Sequence, residues 1–288
     1  MNILITGKES YIGEHIRSHL ESSGYNVCVV DTVSDDWKQV DYSQFQCVVH
    51  VAAIVHQNAK DASEDLFVRV NSDLPVYIAE LAKQNGVKQY ILLSTMGVYG
   101  KTKSLSFEES VIDSHTVPCA VGGYGGSKLN AERRLSELQD ESFHLAFVRP
   151  PNVYGPGCQG NYISLFKKLA LMLLICPCAY TEIRQSMLYI DNLSELIRLI
   201  IKNESDGVFL PQDEIAPNTV ELVSMIRDIY GRKTINSKLL GQLVKSFSST
   251  NLVKKIFGGI QYDYQSSNAF DYQYQIVSFE EGINRTYT

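Results

Sequence analysis

The sequence contains few cysteines, few prolines and no long apolar run. Among its 288 residues are six cysteines, eight prolines and one tryptophan. The cysteines form no CxxC pair and have no histidine at ligand spacing, so we predict no metal site and interpret them as free thiols of a reducing compartment. The most apolar stretch, from Leu169 to Cys178, is about half of the ~20 residues that cross a bilayer. We therefore expect no membrane partner.

The sequence also lacks an excess of positive charge. It has 26 Lys and Arg residues against 32 Asp and Glu residues, which gives a net charge of −6. A basic stripe for nucleic acid is absent, so a nucleic-acid partner is not expected. The first residues enter a strand-like run, Ile3–Thr6, without the charged and apolar regions of a secretory signal. The default expectation is a cytoplasmic protein.

What the sequence does contain is an alternation of strand-like and helix-like segments. Hydrophobic residues make up 44% of the chain, which is typical of a folded globular protein. Helix-like segments at 12–20, 74–84 and 128–139 separate the strand-like runs. The predicted strands are Ile3–Thr6, Tyr25–Val30, Cys47–Val51, Gln89–Leu93 and His144–Val148. This alternation predicts an α/β fold with a doubly wound parallel sheet.

After about Gly155 the sequence becomes rich in helix-like segments, at 163–174, 193–201 and 219–230, with a short strand predicted at 207–210. We predict a dinucleotide-binding domain over residues 1–155 and a smaller, helix-rich substrate lobe over 156–288, with some exchange of chain between them. The crevice between two such lobes is a usual place for a small-molecule site.

A glycine-containing turn follows the first predicted strand. Gly7 and Gly13 stand at the ends of a GxxGxxG spacing, with Ser10 in the middle. The N-terminus of a helix binds a pyrophosphate through backbone N–H groups, and glycine permits close approach. An ordinary strand-to-helix turn has the same spacing and remains an alternative.

Asp31 lies 24 positions beyond Gly7, at the end of the second predicted strand. A carboxylate there accepts hydrogen bonds from the adenosine ribose and would repel a 2′-phosphate, so NAD is favoured over NADP. A solvated turn aspartate is the alternative interpretation, since Asp35 and Asp36 follow closely.

A second motif is the YxxxK spacing of Tyr124 and Lys128, which places both side chains on one face of a helix. A nearby ammonium group is expected to lower the pKa of a tyrosine from ~10 and make it a general acid/base. Thr95 follows a buried strand at the edge that faces the crevice. YxxxK also occurs by chance, and Thr95 alone would suit a strand-end cap.

Taken together, these motifs resemble the extended short-chain dehydrogenases/reductases that act on nucleotide-diphospho-sugars, which have a Rossmann-like fold. The segments at 149–161 and 186–192 resemble the capsule and O-antigen branch, which contains UDP-sugar 4-epimerases and 4-keto reductases. The matching segments, in chain order, are Thr6–Gly13, Asp31, Asp41–Tyr42, His50–Ala53, Asn71, Ser94–Gly100, Tyr124–Lys128 with Glu132, Arg149–Pro156, Tyr189–Asp191 and Ser278–Gly282.

The resemblance implies a role for each matching residue. It assigns Thr95, Tyr124 and Lys128 to catalysis, and it implies a homodimer. The implied NAD-binding residues are Gly7, Ser10, Tyr11, Ile12 and Gly13 at the pyrophosphate, Asp31 at the ribose, Asp41 and Tyr42 at the adenine, Ala52 and Asn71 along the channel, and Lys128 at the nicotinamide ribose. The implied substrate-binding residues are Thr95, Asn152, Asn161 and Arg184.

Three departures from the family pattern matter. Ser10 replaces the middle glycine of the turn. The arginine expected just before Ser186 is displaced, so that either Arg184 or Gln185 would meet the diphosphate. Gly122 and Gly123 precede the catalytic tyrosine and suggest a flexible approach to it.

These observations predict an NAD-dependent enzyme that transfers hydride at C4 of a UDP-linked sugar during synthesis of cell-surface polysaccharide precursors. A 4-epimerase of UDP-glucose or a UDP-N-acetylhexosamine is slightly favoured, and a 4-keto-6-deoxyhexosamine reductase is the alternative. Dehydration is disfavoured because Met96 and Gly97 stand where a dehydratase needs an acid/base pair. A non-catalytic dinucleotide sensor is a third hypothesis, although such a protein is expected to lack the tyrosine or the lysine.

Overall fold

The computed structural model describes residues 1–55, 63–113, 115–158, 160–267 and 272–288; the side chain of Asn161 lies outside the described part. The strands are β1 (Asn2–Thr6), β2 (Asn26–Val30), β3 (Cys47–His50), β4 (Gln89–Leu93), β5 (Val111–Ile112), β6 (His144–Val148), β7 (Asn152–Tyr154), β8 (Cys176–Pro177), β9 (Met187–Tyr189), β10 (Gly207–Phe209), β11 (Asn236–Ser237) and β12 (Gln261–Tyr262). The α-helices are α1 (Tyr11–Ser22), α2 (Glu64–Val68), α3 (Leu74–Gln84), α4 (Phe107–Ser110), α5 (Gly123–Ser136), α6 (Asn161–Met172), α7 (Ile190–Lys202), α8 (Thr219–Ile229), α9 (Lys238–Lys245), α10 (Asn251–Phe257), α11 (Tyr264–Ser267) and α12 (Phe279–Tyr287).

The central sheet has six parallel strands in the order β10-β6-β4-β3-β1-β2. Strand β1 pairs with β2 on one side and with β3 on the other. The chain therefore reverses direction across the sheet at β1, and ligands of open α/β sheets bind in the crevice that such a reversal opens at the carboxyl ends of the strands. The predicted doubly wound parallel sheet is confirmed.

Apolar side chains cover both faces of this sheet. Alternate residues of one strand enter different cores, so that Ile3 and Ile5 pack on one side of the sheet and Leu4 on the other. Helices α1 and α7 cover the first face, and α3 and α5 cover the second. Burial on both faces explains why these strands have continuous apolar runs instead of alternation.

The division into two lobes near Gly155, with some exchange of chain between them, stays a prediction, and part of the chain after Gly155 packs with the first domain. Strand β10 pairs with β6 and completes the central sheet, and α7 packs on α1. Residues 190–209 thus return to the first domain, while α6, α8, α9 and α10 belong to the smaller lobe. All six cysteines are free thiols, as predicted. Within the described ranges, no helix has the length and apolarity needed to cross a membrane.

Candidate active site

Two neighbouring clefts open at the carboxyl edge of the sheet, one on each side of the N-terminus of α1. The first has a volume of about 580 Å³ and is lined by Gly7, Ser10, Asp31, Trp37 and the segment 52–54, among others. The second has a volume of about 410 Å³ and is lined by Ile12, Thr95, Tyr124, Asn152 and Tyr162, among others. The fold therefore brings the turn after β1 and the YxxxK helix to one edge.

The turn after β1 requires glycine at both ends. Gly7 has a φ of +97°, and a Cβ there would lie 3.0 Å from the backbone nitrogen of Ala52. A Cβ at Gly13 would lie 2.5 Å from the Ser10 hydroxyl. Ala52 therefore contributes to the cleft by closing against the turn at Gly7.

Ser10, the departure from the family pattern, is the N-cap of α1. Its Oγ accepts a hydrogen bond from the backbone N–H of Gly13 at 3.0 Å. The N–H groups of Tyr11 and Ile12 have no acceptor among the described residues. Because unpaired donors at a helix N-terminus attract an anion, the turn fits the pyrophosphate of a dinucleotide.

Asp31 lies across the first cleft from this turn. Its Oδ1 accepts a hydrogen bond from the N–H of Val33 at 2.8 Å, while Oδ2 has no partner within the described chain. One carboxylate oxygen is thus held by the backbone, and the residue lines the cleft with a second oxygen to offer, which suits a ribose hydroxyl. NAD therefore fits the residues of this cleft.

Replacing Asp31 with Ala tests this assignment. We expect the preference for NAD(H) over NADP(H) to narrow by about 1–2 kcal/mol, because a charged hydrogen bond to the ribose is lost together with the repulsion of a 2′-phosphate. Calorimetric titration of both cofactors measures the change. Asp36→Ala, a change at an exposed carboxylate outside the cleft, is the matched control. Equal NAD(H) and NADP(H) affinities in the native protein would contradict the role.

The structure does not bring Asp41 and Tyr42 into the cleft. The Tyr42 ring is buried in the core, and its hydroxyl donates to the carbonyl oxygen of Trp37 at 3.1 Å. The Asp41 carboxylate accepts from the Ser43 hydroxyl at 2.6 Å and caps a short helical turn. Trp37 lines the first cleft instead, although no motif singled it out.

Tyr124 and Thr95 face one another in the second cleft. Burial raises the pKa of Tyr124 to about 12, and the hydrogen bond with the Thr95 side chain opposes that rise. The predicted lowering of the tyrosine pKa is therefore not found, because desolvation disfavours the phenolate more strongly than its neighbours favour it. Tyr124 is a neutral phenol at pH 7 in this structure.

Lys128 is fully buried one helical turn after Tyr124. Its Nζ donates to the carbonyl oxygen of Leu93 at 2.9 Å. Burial lowers the pKa of Lys128 to about 8, while the Glu132 carboxylate acts in the opposite direction. Lys128 is not among the residues that line either cleft, so its contact with a ribose stays a prediction.

Asn71 forms hydrogen bonds that connect two segments next to this site. It lies in a π-helical turn, Arg69–Asp73, a local feature that is frequent at functional sites. Its amide exchanges two hydrogen bonds with the backbone of Ile54, at 2.9 and 3.0 Å, and donates to Ser127 at 3.2 Å. Every Asn71 donor and acceptor is thus used to tie the segment after β3 to the helix that carries Tyr124, and contact with NAD stays a prediction.

The two glycines before Tyr124 have a conformational purpose. Gly122 and Gly123 adopt φ values of +65° and +54°, which favour glycine. The Gly123 N–H donates to both carboxylate oxygens of Glu64, at 2.8 and 3.0 Å. The segment before Tyr124 is therefore held by an acidic side chain at the start of α5. The two glycines had suggested a flexible segment there.

A buried ion pair lies beneath Thr95. Glu132 Oε2 accepts from Arg149 Nη2 at 2.6 Å, and Ser94 also donates to the same carboxylate. Arg149 Nη1 reaches the Tyr99 hydroxyl at 3.0 Å. These bonds join the end of β4, helix α5 and the segment after β6. The residues that form them lie in segments that match the family, but the sequence assigned them no role.

Arg184 does not reach the cleft that Thr95 lines. It donates to the carbonyl of Ala216 at 2.8 Å and pairs with Glu221 at 3.1 Å on another part of the lobe. Gln185 instead lines a pocket of about 200 Å³ next to Thr95, together with Lys101, Lys103 and Asn152. Asn152 lines the second cleft and the pocket beside Thr95, and its contact with the substrate stays a prediction, whereas the Asn161 side chain lies outside the described part of the chain.

Comparison with known proteins agrees with this site. A family model described as the NAD dependent epimerase/dehydratase family matches residues 3–208. A UDP-glucose 4-epimerase of Vibrio cholerae is 30% identical over 75% of this chain and 68% of its own. An N-acetyl-alpha-D-glucosaminyl-diphospho-ditrans,octacis-undecaprenol 4-epimerase of Escherichia coli O157:H7 is 28% identical over 66% of this chain, which spans 56% of that relative.

Solved structures share the fold over the whole chain. A UDP-glucose 4-epimerase from Thermotoga maritima with UDP-glucose superposes with a TM-score of 0.72 at 21% identity, covering 100% of this chain and 97% of that one. A UDP-glucuronic acid 4-epimerase from Bacillus cereus with NAD has the same TM-score at 20% identity, with coverages of 100% and 95%. The chain therefore belongs to the NAD dependent epimerase/dehydratase family and is an NAD-dependent enzyme.

Proposed function

We propose that this enzyme is a 4-epimerase of a UDP-linked hexose or N-acetylhexosamine in the synthesis of cell-surface polysaccharide precursors. The observation that carries the proposal is the shared cleft of Thr95, Tyr124 and Asn152, adjacent to the dinucleotide cleft. Support also comes from the V. cholerae relative, a UDP-glucose 4-epimerase.

The residues of the cleft divide the chemistry between them. Bound NAD would supply the acceptor, and then the donor, of the hydride at C4 of the sugar. To act as a base, Tyr124 must first lose its phenol proton to solvent, which the positive charge of Lys128 would favour. Its Oη would then take the proton of the C4 hydroxyl as the hydride leaves and give it back at the end, while Thr95 orients that hydroxyl. Lys128 holds the ribose and places positive charge behind the tyrosine. The apolar walls at Pro150, Pro151 and Tyr162 leave a keto sugar free to turn between the two transfers.

The diphosphate is assigned to the pocket of Lys101, Lys103 and Gln185. Lys101 Nζ donates to the carbonyl oxygens of Glu109 and Val111, at 3.2 and 2.5 Å. Lys103 Nζ lies 4.4 Å from the centre of the Tyr162 ring and has no carboxylate partner in the described ranges. Burial lowers the pKa of Lys103 to about 8, with help from Lys255. An approaching diphosphate would favour its charged form, which makes Lys103 the first candidate.

Lys103→Met tests this assignment. We expect KM for a UDP-sugar to rise roughly 10- to 100-fold with little change in kcat, because a charge-assisted hydrogen bond to bound diphosphate contributes about 1.5–3 kcal/mol in both ground and transition states. Steady-state kinetics measures both constants. Lys168→Met, on the exposed face of α6, is the control. An unchanged KM would show that Lys103 does not bind the diphosphate, and Gln185 would then be the candidate for that contact.

The sugar diphosphate could be attached to a polyprenyl chain instead of uridine, and this is the second candidate for the substrate. A cleft of about 640 Å³, lined by Lys101, Lys103, Tyr180 and Lys254 among others, leads from the same lysines to the surface of the smaller lobe. The E. coli relative is named for a diphospho-undecaprenol substrate. The cleft and this relative together favour testing a lipid carrier.

One set of incubations tests the proposed function. The purified protein is incubated with UDP-glucose, UDP-N-acetylglucosamine or polyprenyl-diphospho-N-acetylglucosamine, with and without NAD, and the products are examined by NMR. Formation of a 4-epimer without net change in NADH supports the epimerase. Stoichiometric consumption of NADH with a UDP-4-keto-6-deoxyhexosamine and no epimerisation would replace it by the reductase.

A further inference from the structure

The smaller lobe contains a stretch without acidic residues. Between Asp228 and Asp263 there is no Asp or Glu, whereas six basic residues lie there: Arg232, Lys233, Lys238, Lys245, Lys254 and Lys255. All six are exposed. The rest of the chain holds 20 of the 26 basic residues and all 32 acidic ones. The net charge of −6 therefore conceals a strongly basic region on an acidic protein.

Large apolar side chains are exposed on the same region. Leu239, Leu243 and Phe247 follow one another at intervals of four residues, so they form one stripe along α9 and its end. They are 76%, 56% and 54% exposed, and Leu252 on α10 is 64% exposed. We call the surface formed by residues 232–255 the basic face.

The apolar stripe continues onto a neighbouring segment. Cys176 N donates to the carbonyl oxygen of Ile235 at 2.8 Å, where β8 pairs with β11. This pairing places Leu174 and Ile175 beside Ile235, with exposures of 84%, 41% and 60%. Large exposed apolar side chains grouped in this way mark an interaction surface in soluble proteins.

The buried side of α9 fixes how the helix is oriented on the lobe. A Cβ at Gly241 would collide with the carbonyl of Cys178, so the helix lies directly on backbone at that point. Val244 packs inward against a small core of Ala179, Val253 and Phe257. The helix therefore buries one face and presents the leucines and lysines outward.

We propose that the basic face binds the surface of a bilayer that contains anionic phospholipids. A surface that exposes both large apolar side chains and lysines inserts the apolar side chains at the level of the headgroups, while each lysine is attracted to lipid phosphate. The acidic remainder of the protein is repelled by the same surface, which selects one orientation.

Two other occupants fit the charges less well. A second copy of the chain bound through a two-fold axis would set the basic face against itself, and like charges would meet. A nucleic acid would pair with the lysines but leave the leucine stripe uncovered. The earlier expectation of no membrane partner came from the lack of a spanning run, and peripheral binding does not need one.

The basic face also borders the cleft that reaches the site. Ser248 and Lys254 line the cleft of about 640 Å³ together with Lys101 and Lys103, and those two lysines also line the pocket beside Thr95. Binding to a bilayer thus turns the mouth of this cleft toward the lipid. The proposal itself rests on the surface alone and does not depend on the proposed function.

Vesicle co-sedimentation of the full chain tests the proposal. Vesicles of equal parts phosphatidylglycerol and phosphatidylethanolamine are compared with vesicles of phosphatidylcholine alone. We expect binding to the first and not to the second, with a loss of binding as salt is raised. Absence of binding to the phosphatidylglycerol vesicles, or equal binding to both, would overturn the proposal.

Substitutions locate the surface. Leu239→Ser with Leu243→Ser should lower the partition coefficient at least about tenfold through lost insertion, and Lys238→Gln with Lys245→Gln should lower it about fivefold per lysine. Ile276→Ser and Lys202→Gln are controls at exposed positions elsewhere and should bind as the native protein does. Unchanged binding by both double variants would place the lipid contact elsewhere.

Two further measurements keep the outcomes distinct. Circular dichroism and turnover of a water-soluble UDP-sugar report whether the variants remain folded, and the lysine variant is informative even if the leucine variant is not. Failure of the turnover assay in the native protein contradicts the proposed function without affecting the vesicle result. Sedimentation equilibrium showing a dimer that the leucine variant dissociates would instead make the patch a protein interface.

Discussion

Tyr124→Phe should lower the rate of hydride transfer by about 10²–10⁴-fold while NAD and the sugar nucleotide still bind. The ring keeps its packing, but the hydroxyl that faces Thr95 is lost, and with it the only proton route that we assign to the C4 oxygen. Single-turnover reduction of bound NAD, followed by its absorbance, measures the step directly. Calorimetry of NAD binding checks that the cofactor site is intact.

Tyr264→Phe is the matched control for this change. Tyr264 is 62% exposed on a different part of the lobe, so removing its hydroxyl should leave the rate as it is. Native turnover in the Tyr124→Phe protein would show that another group moves the proton. The reductase and epimerase hypotheses both fail on that outcome, since both route the proton through this tyrosine.

Glu132→Leu should lower the free energy of unfolding by about 3–5 kcal/mol, because Arg149 would remain buried without its partner. The side chains of this pair are only 10% and 5% exposed, and its shortest N–O distance is 2.6 Å. Urea denaturation followed by circular dichroism gives the value. The double variant Glu132→Leu with Arg149→Met should recover much of the loss, because no lone charge remains.

Glu14→Leu is the matched control for burial. Its ion pair with Arg17 has the same 2.6 Å distance, but the two side chains are 38% and 42% exposed. Solvent screens this pair, so the change should cost under ~1 kcal/mol. If the two single variants lose similar stability, then burial of the Glu132 pair is not what stabilises the end of β4.

Local patterns predicted the parts of the site that depend on neighbouring residues. The turn from Gly7 to Gly13, the strand end at Thr95 and the spacing of Tyr124 and Lys128 are all decided within a few residues of chain. Parallel strands place their carboxyl ends at one edge, so their side chains meet there once the sheet forms. The cleft of Thr95, Tyr124 and Asn152 was therefore predictable.

Contacts between distant segments decided the rest. The Asn71 amide bonds residues 17 and 56 positions away, and Glu64 holds Gly123 across 59 positions. Lys101 and Lys103, which line the pocket beside Thr95, follow the Thr95 motif in the chain but have no pattern of their own. The prediction of a lowered pKa for Tyr124 was wrong, because the spacing shows that a lysine is near but does not show how much water burial removes from around the phenol.

The sequence by itself determined the alternation of strands and helices, the glycine turn after the first strand and the YxxxK spacing, because these follow from short-range patterns. It also contained the run of 34 residues from 229 to 262 that lacks any acidic side chain. Only the tertiary structure decided that Gln185 and not Arg184 lines the pocket beside Thr95, since Arg184 is held by Glu221, 37 positions away in the chain. Only the tertiary structure decided that Leu239, Leu243 and Phe247 face outward, because an amphipathic helix does not itself reveal which of its faces the rest of the chain will cover.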